Sequence, residues 1–88
     1  MITPTSVPAT LRIRLFASYA ERLGGELIEL PAEGIRTVSD VLERLRALPN
    51  GRAVGPATLV AVNLRHSPPG TAVRPGDEIA VMPPLAGG

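Results

Sequence analysis

The segment RPGDEIAVMPPLAGG, residues 74–88, reads as a turn, a strand and a tail in succession. Pro75-Gly76 suits a type II turn, in which proline presets the first central residue and glycine accepts the positive φ of the second. DEIAVM, Asp77 to Met82, is then a strand, closed at its far end by Pro83 and Pro84. PPLAGG is too stiff where it begins and too glycine-rich where it ends to pair in a sheet. Residues 83–88 are therefore expected to project from the domain as a flexible tail.

The strand at 77–82 needs partners, and the sequence upstream supplies three. TLVAVNL, Thr58 to Leu64, is mostly apolar and β-branched, as for a strand near the middle of a sheet. Val60, Val62 and Leu64 fall on one face by alternation, and HSPPG at 66–70 is expected to break the strand. LRIRLF, Leu11 to Phe16, alternates strictly, which turns Leu11, Ile13 and Leu15 toward a core. After a short AERLG segment, Gly24 and Gly25 permit a reversal, and ELIEL from Glu26 to Leu30 reads as a strand that Pro31 ends.

Thr37 opens a helix, because its hydroxyl can cap free amides and Asp40 carries a favourable charge near the positive helix end. Val38, Val41, Leu42, Leu45 and Leu48 form one apolar stripe, and Pro49, Asn50 and Gly51 stop the helix. The order is strand, strand, helix, strand, strand. That is an α+β chain of the β-grasp, ubiquitin-like class, a mixed sheet with one main helix and an extended C-terminal tail. The expected organisation is a mobile lead-in at 1–10, a domain at 11–82 and a tail at 83–88.

Composition narrows the function. The 88 residues are 44% hydrophobic, but only Phe16 and Tyr19 are aromatic, so the core is built from Leu, Val, Ile and Ala and has no room for a large prosthetic group. No bound cofactor is expected. The absence of cysteine removes disulfides, thiolate nucleophiles and thiolate metal sites. His66, the single histidine, lacks neighbouring ligands and reads as a loop or surface residue. All nine basic residues are arginine, spread along the chain, and the formal charge is +1, which speaks against nucleic-acid binding. Without lysine there is no Schiff-base chemistry and no side-chain amine for joining a second copy. MITPTSVPAT lacks the features of a secretory signal and no apolar run reaches membrane-spanning length, so a cytoplasmic location off the membrane is expected.

The chemistry that is left sits in the tail. Pro83 and Pro84 hold it extended, and six extended residues reach roughly 20 Å. Leu85 is its only large apolar group, Ala86 is small, and Gly87 and Gly88 carry no side chains that would hinder a narrow site. A terminal carboxyl with a pKa of about 3.5 is an anion near neutral pH and a poor electrophile. Adenylyl transfer from ATP would convert it to a mixed anhydride, which a sulfur nucleophile opens to a thiocarboxylate.

LFASYAERLG, VAVN and RPGDEIAVMPPLAGG resemble the small subunit of molybdopterin synthase, within the family of ubiquitin-like sulfur carriers. The likeness runs from Leu11 onward, and GDE-I-A-V-x-PP-x-x-GG is its specific part. It implies that an adenylating enzyme, which uses ATP, activates Gly88 and that sulfur is installed there. The tail Pro83, Pro84, Leu85, Ala86 and Gly87 then enters the large synthase subunit, in an assembly of two small and two large subunits. Sulfur passes to cyclic pyranopterin monophosphate in molybdenum cofactor biosynthesis. The resemblance also implies that the catalytic side chains belong to the large subunit. The carrier of thiamin thiazole synthesis is similar but usually lacks the Pro-Pro pair. A ubiquitin-like modifier, joined through Gly88 to a lysine of another protein, and a plain binding module are the competing readings.

Alternation yields one more expectation. Phe16, Met82 and Leu59 fall on the face opposite the core, at the end of the sheet where the tail leaves, and together make a partner-binding patch. The large subunit is expected to dock there, with Phe16 and Met82 as anchors.

Overall fold

The computed structural model describes residues 9–84. Strand β1, Thr10–Leu15, buries Leu11, Ile13 and Leu15 and turns Thr10, Arg12 and Arg14 outward. It pairs antiparallel with β2, Leu27–Pro31, and parallel with β5, Glu78–Met82. Strand β3, Leu59–Val62, lies antiparallel to β5 and to the short β4, Arg65–His66. The order across the sheet is β2-β1-β5-β3-β4, with the two longest-range strands parallel at its centre, which makes the fold a β-grasp. Pro31 ends an edge strand. Ala32 donates inward to Ala9 O, so by alternation the missing N–H of Pro31 falls on the outer edge, where it leaves no gap in the ladder.

Helix α2, Val38–Arg46, covers one face and buries Val38, Val41, Leu42 and Leu45 against the inward side chains of β1, β3 and β5. Every free amide of its first turn has a partner. Val38 N–H donates to Thr71 O and Ser39 N–H to Pro69 O, each at 2.9 Å, while Asp40 N–H donates to Thr37 Oγ1 at 3.3 Å. Asp40 answers by accepting from Arg36 N–H at 2.9 Å and Thr37 N–H at 3.1 Å, a closed capping box. The loop at 67–71 thus does more than interrupt a strand: its carbonyls anchor the helix. Leu48 lies beyond the helix end, half-buried against the core. Gly51 follows in a 3-10 turn, where a β-carbon would overlap Leu45 O and Arg46 O.

Two expectations need correction. The AERLG segment is not merely a reversal but lies in a second helix, α1, Ser18–Leu23, closed by Gly24 at φ 91°. Six residues cannot form a helix in isolation; Tyr19, buried in the core, supplies the tertiary contact that stabilises it. The third strand stops at Val62, not Leu64. Asn63 and Leu64 both have positive φ, 52° and 69°, and make the two-residue turn of a tight hairpin into β4. Leu64 is therefore 85% exposed and does not face the core with Val60 and Val62. Asn63 accounts for the reversal: its N–H donates to Glu78 O at 2.7 Å, its Nδ2 donates to Asp77 Oδ1 at 3.1 Å, and its Oδ1 accepts from Glu78 N–H at 2.9 Å. At the Pro75-Gly76 turn the expected geometry is present, with Gly76 at φ 95° and Asp77 N–H donating to Arg74 O.

Candidate functional site

Parallel pairing of β1 with β5 brings the end of the first strand beside the start of the tail. Leu15 is in register with Val81, and Phe16 N–H extends the ladder by one bond to Val81 O at 3.2 Å. Val81 and Leu15 are buried, so the next residue on each strand, Met82 and Phe16, turns to the helix-free face. Phe16 is 41% exposed. Leu59 is the register partner of Met82 and is half-buried on the same row.

A groove of about 790 Å³ opens at this end of the sheet. Phe16, Ala17 and Tyr19 line one side, Met82, Pro83 and Pro84 another, and Ala53 and Gly55 contribute as well. The structure thus brings Phe16, Met82, Pro83 and Pro84 together, while Leu59 shares the row but does not line the groove. Pro83 is half-buried and Pro84 exposed. Leu85, Ala86, Gly87 and Gly88 lie outside the described residues.

Two residues that the sequence reading passed over shape the groove. Ala17 adopts φ 52° and ψ −128°, the first central position of a tight turn closed by Tyr19 N–H donating to Phe16 O at 3.1 Å. That conformation suits glycine and costs an L-residue about 1–3 kcal/mol. Tyr19 holds the groove's far side. Its hydroxyl donates to Thr58 Oγ1 at 2.6 Å and accepts from Gly55 N–H at 3.3 Å, and Thr58 Oγ1 in turn donates to Gly55 O at 2.6 Å. Arg46 joins the same loop, donating from Nε to Val54 O at 2.9 Å and from Nη2 to Gly55 O at 3.0 Å. A single tyrosine in an apolar chain was the available signal, since a buried phenol needs a partner. The strain at Ala17 has no signature in sequence.

His66 lies on β4, exposed and in register with Ala61, and does not line the groove. No group of three or more His, Cys, Asp or Glu side chains that could hold a metal occurs among the described residues. None of their helices is long and apolar enough to cross a membrane. What the described part of the site offers is an apolar seat with a stiff chain leaving it.

Residues 13–88 match the ThiS family. The crystal structure of the small archaeal modifier protein SAMP1 from Haloferax volcanii is 30% identical, aligns over 90% of this chain and 99% of that one, and has a TM-score of 0.73. The HVO 2177 protein from the same organism is 33% identical over 91% of this chain and 89% of that one, with a TM-score of 0.73. A protein described as molybdopterin converting factor subunit 1, from Pyrococcus furiosus, shares the fold with a TM-score of 0.73 at 21% identity, over 88% of this chain and 99% of that one.

Proposed function

The chain belongs to the ThiS family of ubiquitin-like sulfur carriers, and from that premise we propose that it is the sulfur-donating small subunit of molybdopterin synthase. In this reading the Gly88 carboxylate attacks the α-phosphorus of ATP on a partner adenylating enzyme, and pyrophosphate leaves. A hydrosulfide ion then attacks the acyl carbon, AMP leaves, and a thiocarboxylate stays on Gly88. The tail from Pro83 to Gly87 carries that group into the large subunit, where sulfur passes to cyclic pyranopterin monophosphate. The protein's own contribution is positioning: a rigid β-grasp body, a Pro-Pro exit, and a terminus without side chains.

The observation that carries the reading is the apolar groove lined by Phe16, Ala17 and Met82 where the Pro83-Pro84 exit begins, with the Gly87-Gly88 pair following it. Intact-mass measurement after coexpression with the adenylating enzyme tests it. The expected result is exchange of one terminal oxygen for sulfur, followed by loss of that sulfur when large subunit and cyclic pyranopterin monophosphate are added. Deleting Gly87 and Gly88 is expected to abolish transfer while leaving the unfolding curve in place.

The likeness to SAMP1 favours a second reading, a modifier joined through Gly88 to lysines of other proteins. Both uses begin with the same adenylate. A shift of tagged protein into larger covalent species, lost with the terminal glycines and resistant to thiol reductants, would favour the modifier.

A further inference from the structure

Beside the apolar groove lies a second cavity, of about 580 Å³, lined by Arg22 from α1, Arg46 from α2 and Arg52 from the 3-10 turn. No carboxylate lines it. Glu21 and Glu43 are the nearest acidic residues in sequence on the two helices, and Glu21 lines other cavities alongside. Elsewhere the arginines are interleaved with acids. Arg12, for instance, is in register with Glu29 on one side and Glu78 on the other. In a chain whose formal charge is +1, this concentrates three cations in one place.

The two cavities adjoin. Ala53 lines both, and Arg46 from the basic cavity bonds the carbonyl of Gly55, which lines the apolar one. We propose that Arg22, Arg46 and Arg52 form the electrostatic half of the docking surface, against which an acidic surface of the adenylating enzyme that activates Gly88 comes to lie. This rests on the reading that the tail end docks on a protein partner. A small anion fits the cavity less well. Ala47 and Leu48, at the negative end of α2, also line it, so a phosphate seated there would face helix carbonyls. An acidic surface approaching from outside feels the summed positive charge instead.

The function that follows is steering. Charged groups at the rim of an interface act mainly on the association rate and on its salt dependence, whereas desolvated apolar anchors act mainly on dissociation. The full-length protein and its Arg22→Glu/Arg52→Glu variant would be mixed with the adenylating enzyme of the same organism from about 20 to about 500 mM salt, in stopped flow. Arg46 is left intact because it holds the Val54-Gly55 loop. The double variant is expected to associate at least about ten-fold more slowly at low salt, with the gap closing at high salt and dissociation nearly unchanged. Arg22→Gln/Arg52→Gln, a milder change, should lie between if charge reversal disturbs folding. An unchanged association rate at low salt overturns the proposal while complex formation persists. Competition by inorganic phosphate at constant ionic strength also overturns it, since the cavity is then a small-anion site. If the wild-type chain neither binds the enzyme nor gains sulfur on Gly88, the sulfur-carrier reading itself fails and the docking proposal with it.

Discussion

The two ends of the sheet are built from different materials. At one end strands β1 and β5 and the helix α2 begin, and polar side chains tie the turns together: Asn63 to Asp77 and Glu78, Arg74 N–H to Asp77, and Thr37 reciprocally to Asp40. At the other end, where the tail leaves, the groove offers Phe16, Met82, Pro83 and Pro84 and includes a strained Ala17. At the polar end side chains close the turns, whereas at the apolar end the groove keeps Phe16 and Met82 partly exposed. Leu64 does not blur the contrast, because a single exposed leucine at a hairpin tip is ordinary surface, whereas contiguous apolar groups around a groove are not.

The largest effect expected from this division is at the apolar end. Met82→Asp is expected to weaken association with the partner about 100-fold, equivalent to about 3 kcal/mol, while thermal unfolding shifts little, because Met82 faces away from the core. Binding and melting measured on the same sample check it. A large loss of stability would show that the groove belongs to the core and would erase the distinction between the two ends.

Asn63→Ala is the mirror experiment. It removes two side-chain hydrogen bonds and leaves a β-carbon in the left-handed region without the polar side chain that lets asparagine tolerate it, for an expected loss of about 2 kcal/mol in urea unfolding. Partner association should be untouched. Asn63→Gly separates the two causes, since it restores the backbone freedom and not the bonds.

What sequence could reveal follows the same division. Alternation in LRIRLF and the stripe from Val38 to Leu45 report burial directly, and both are visible without coordinates. Parity even places Phe16 and Met82 together, because a parallel neighbour preserves face. Parity fails at Leu64, where a turn of two left-handed residues interrupts an otherwise strand-like run. It says nothing about α1, whose formation depends on Tyr19 reaching Thr58 across 39 residues. The cavity of Arg22, Arg46 and Arg52 is equally hidden, since its members come from three separate elements.

The capping box allows a sharper test of the polar end. Thr37→Ala is expected to cost about 1 kcal/mol. The Asp40 carboxyl is held below its ordinary range chiefly by the Arg36 N–H, then by the Thr37 N–H. A depressed folded-state pKa stabilises above the unfolded value of about 3.9 and loses that contribution as pH falls through the folded value. Asp40→Asn is therefore expected to be less stable than wild type near neutral pH, with the gap narrowing in acid below about pH 4. A gap that stays constant across pH would mean that folding leaves the proton affinity of the Asp40 carboxyl unchanged, so that its charge adds nothing to the cap.

Ala17→Gly has the smallest expected effect and discriminates most finely between the two ends. Glycine accepts φ 52°, ψ −128° freely, so the substitution releases a strain of about 1–3 kcal/mol. Against that stands the extra entropy that glycine loses on folding, roughly 0.5–1 kcal/mol. The net expectation is a stabilisation of about 1 kcal/mol, read as a rise of a few degrees in the melting temperature of a domain this small. The methyl group removed is one of the groove's own walls, so association with the partner should weaken or stay level and should not improve. Opposite signs for stability and association would mean that the tail end retains a strained residue for the surface it presents. Destabilisation by glycine would instead mean that the Phe16–Tyr19 turn is relaxed with alanine in place, and that the apolar end is as settled as the polar one.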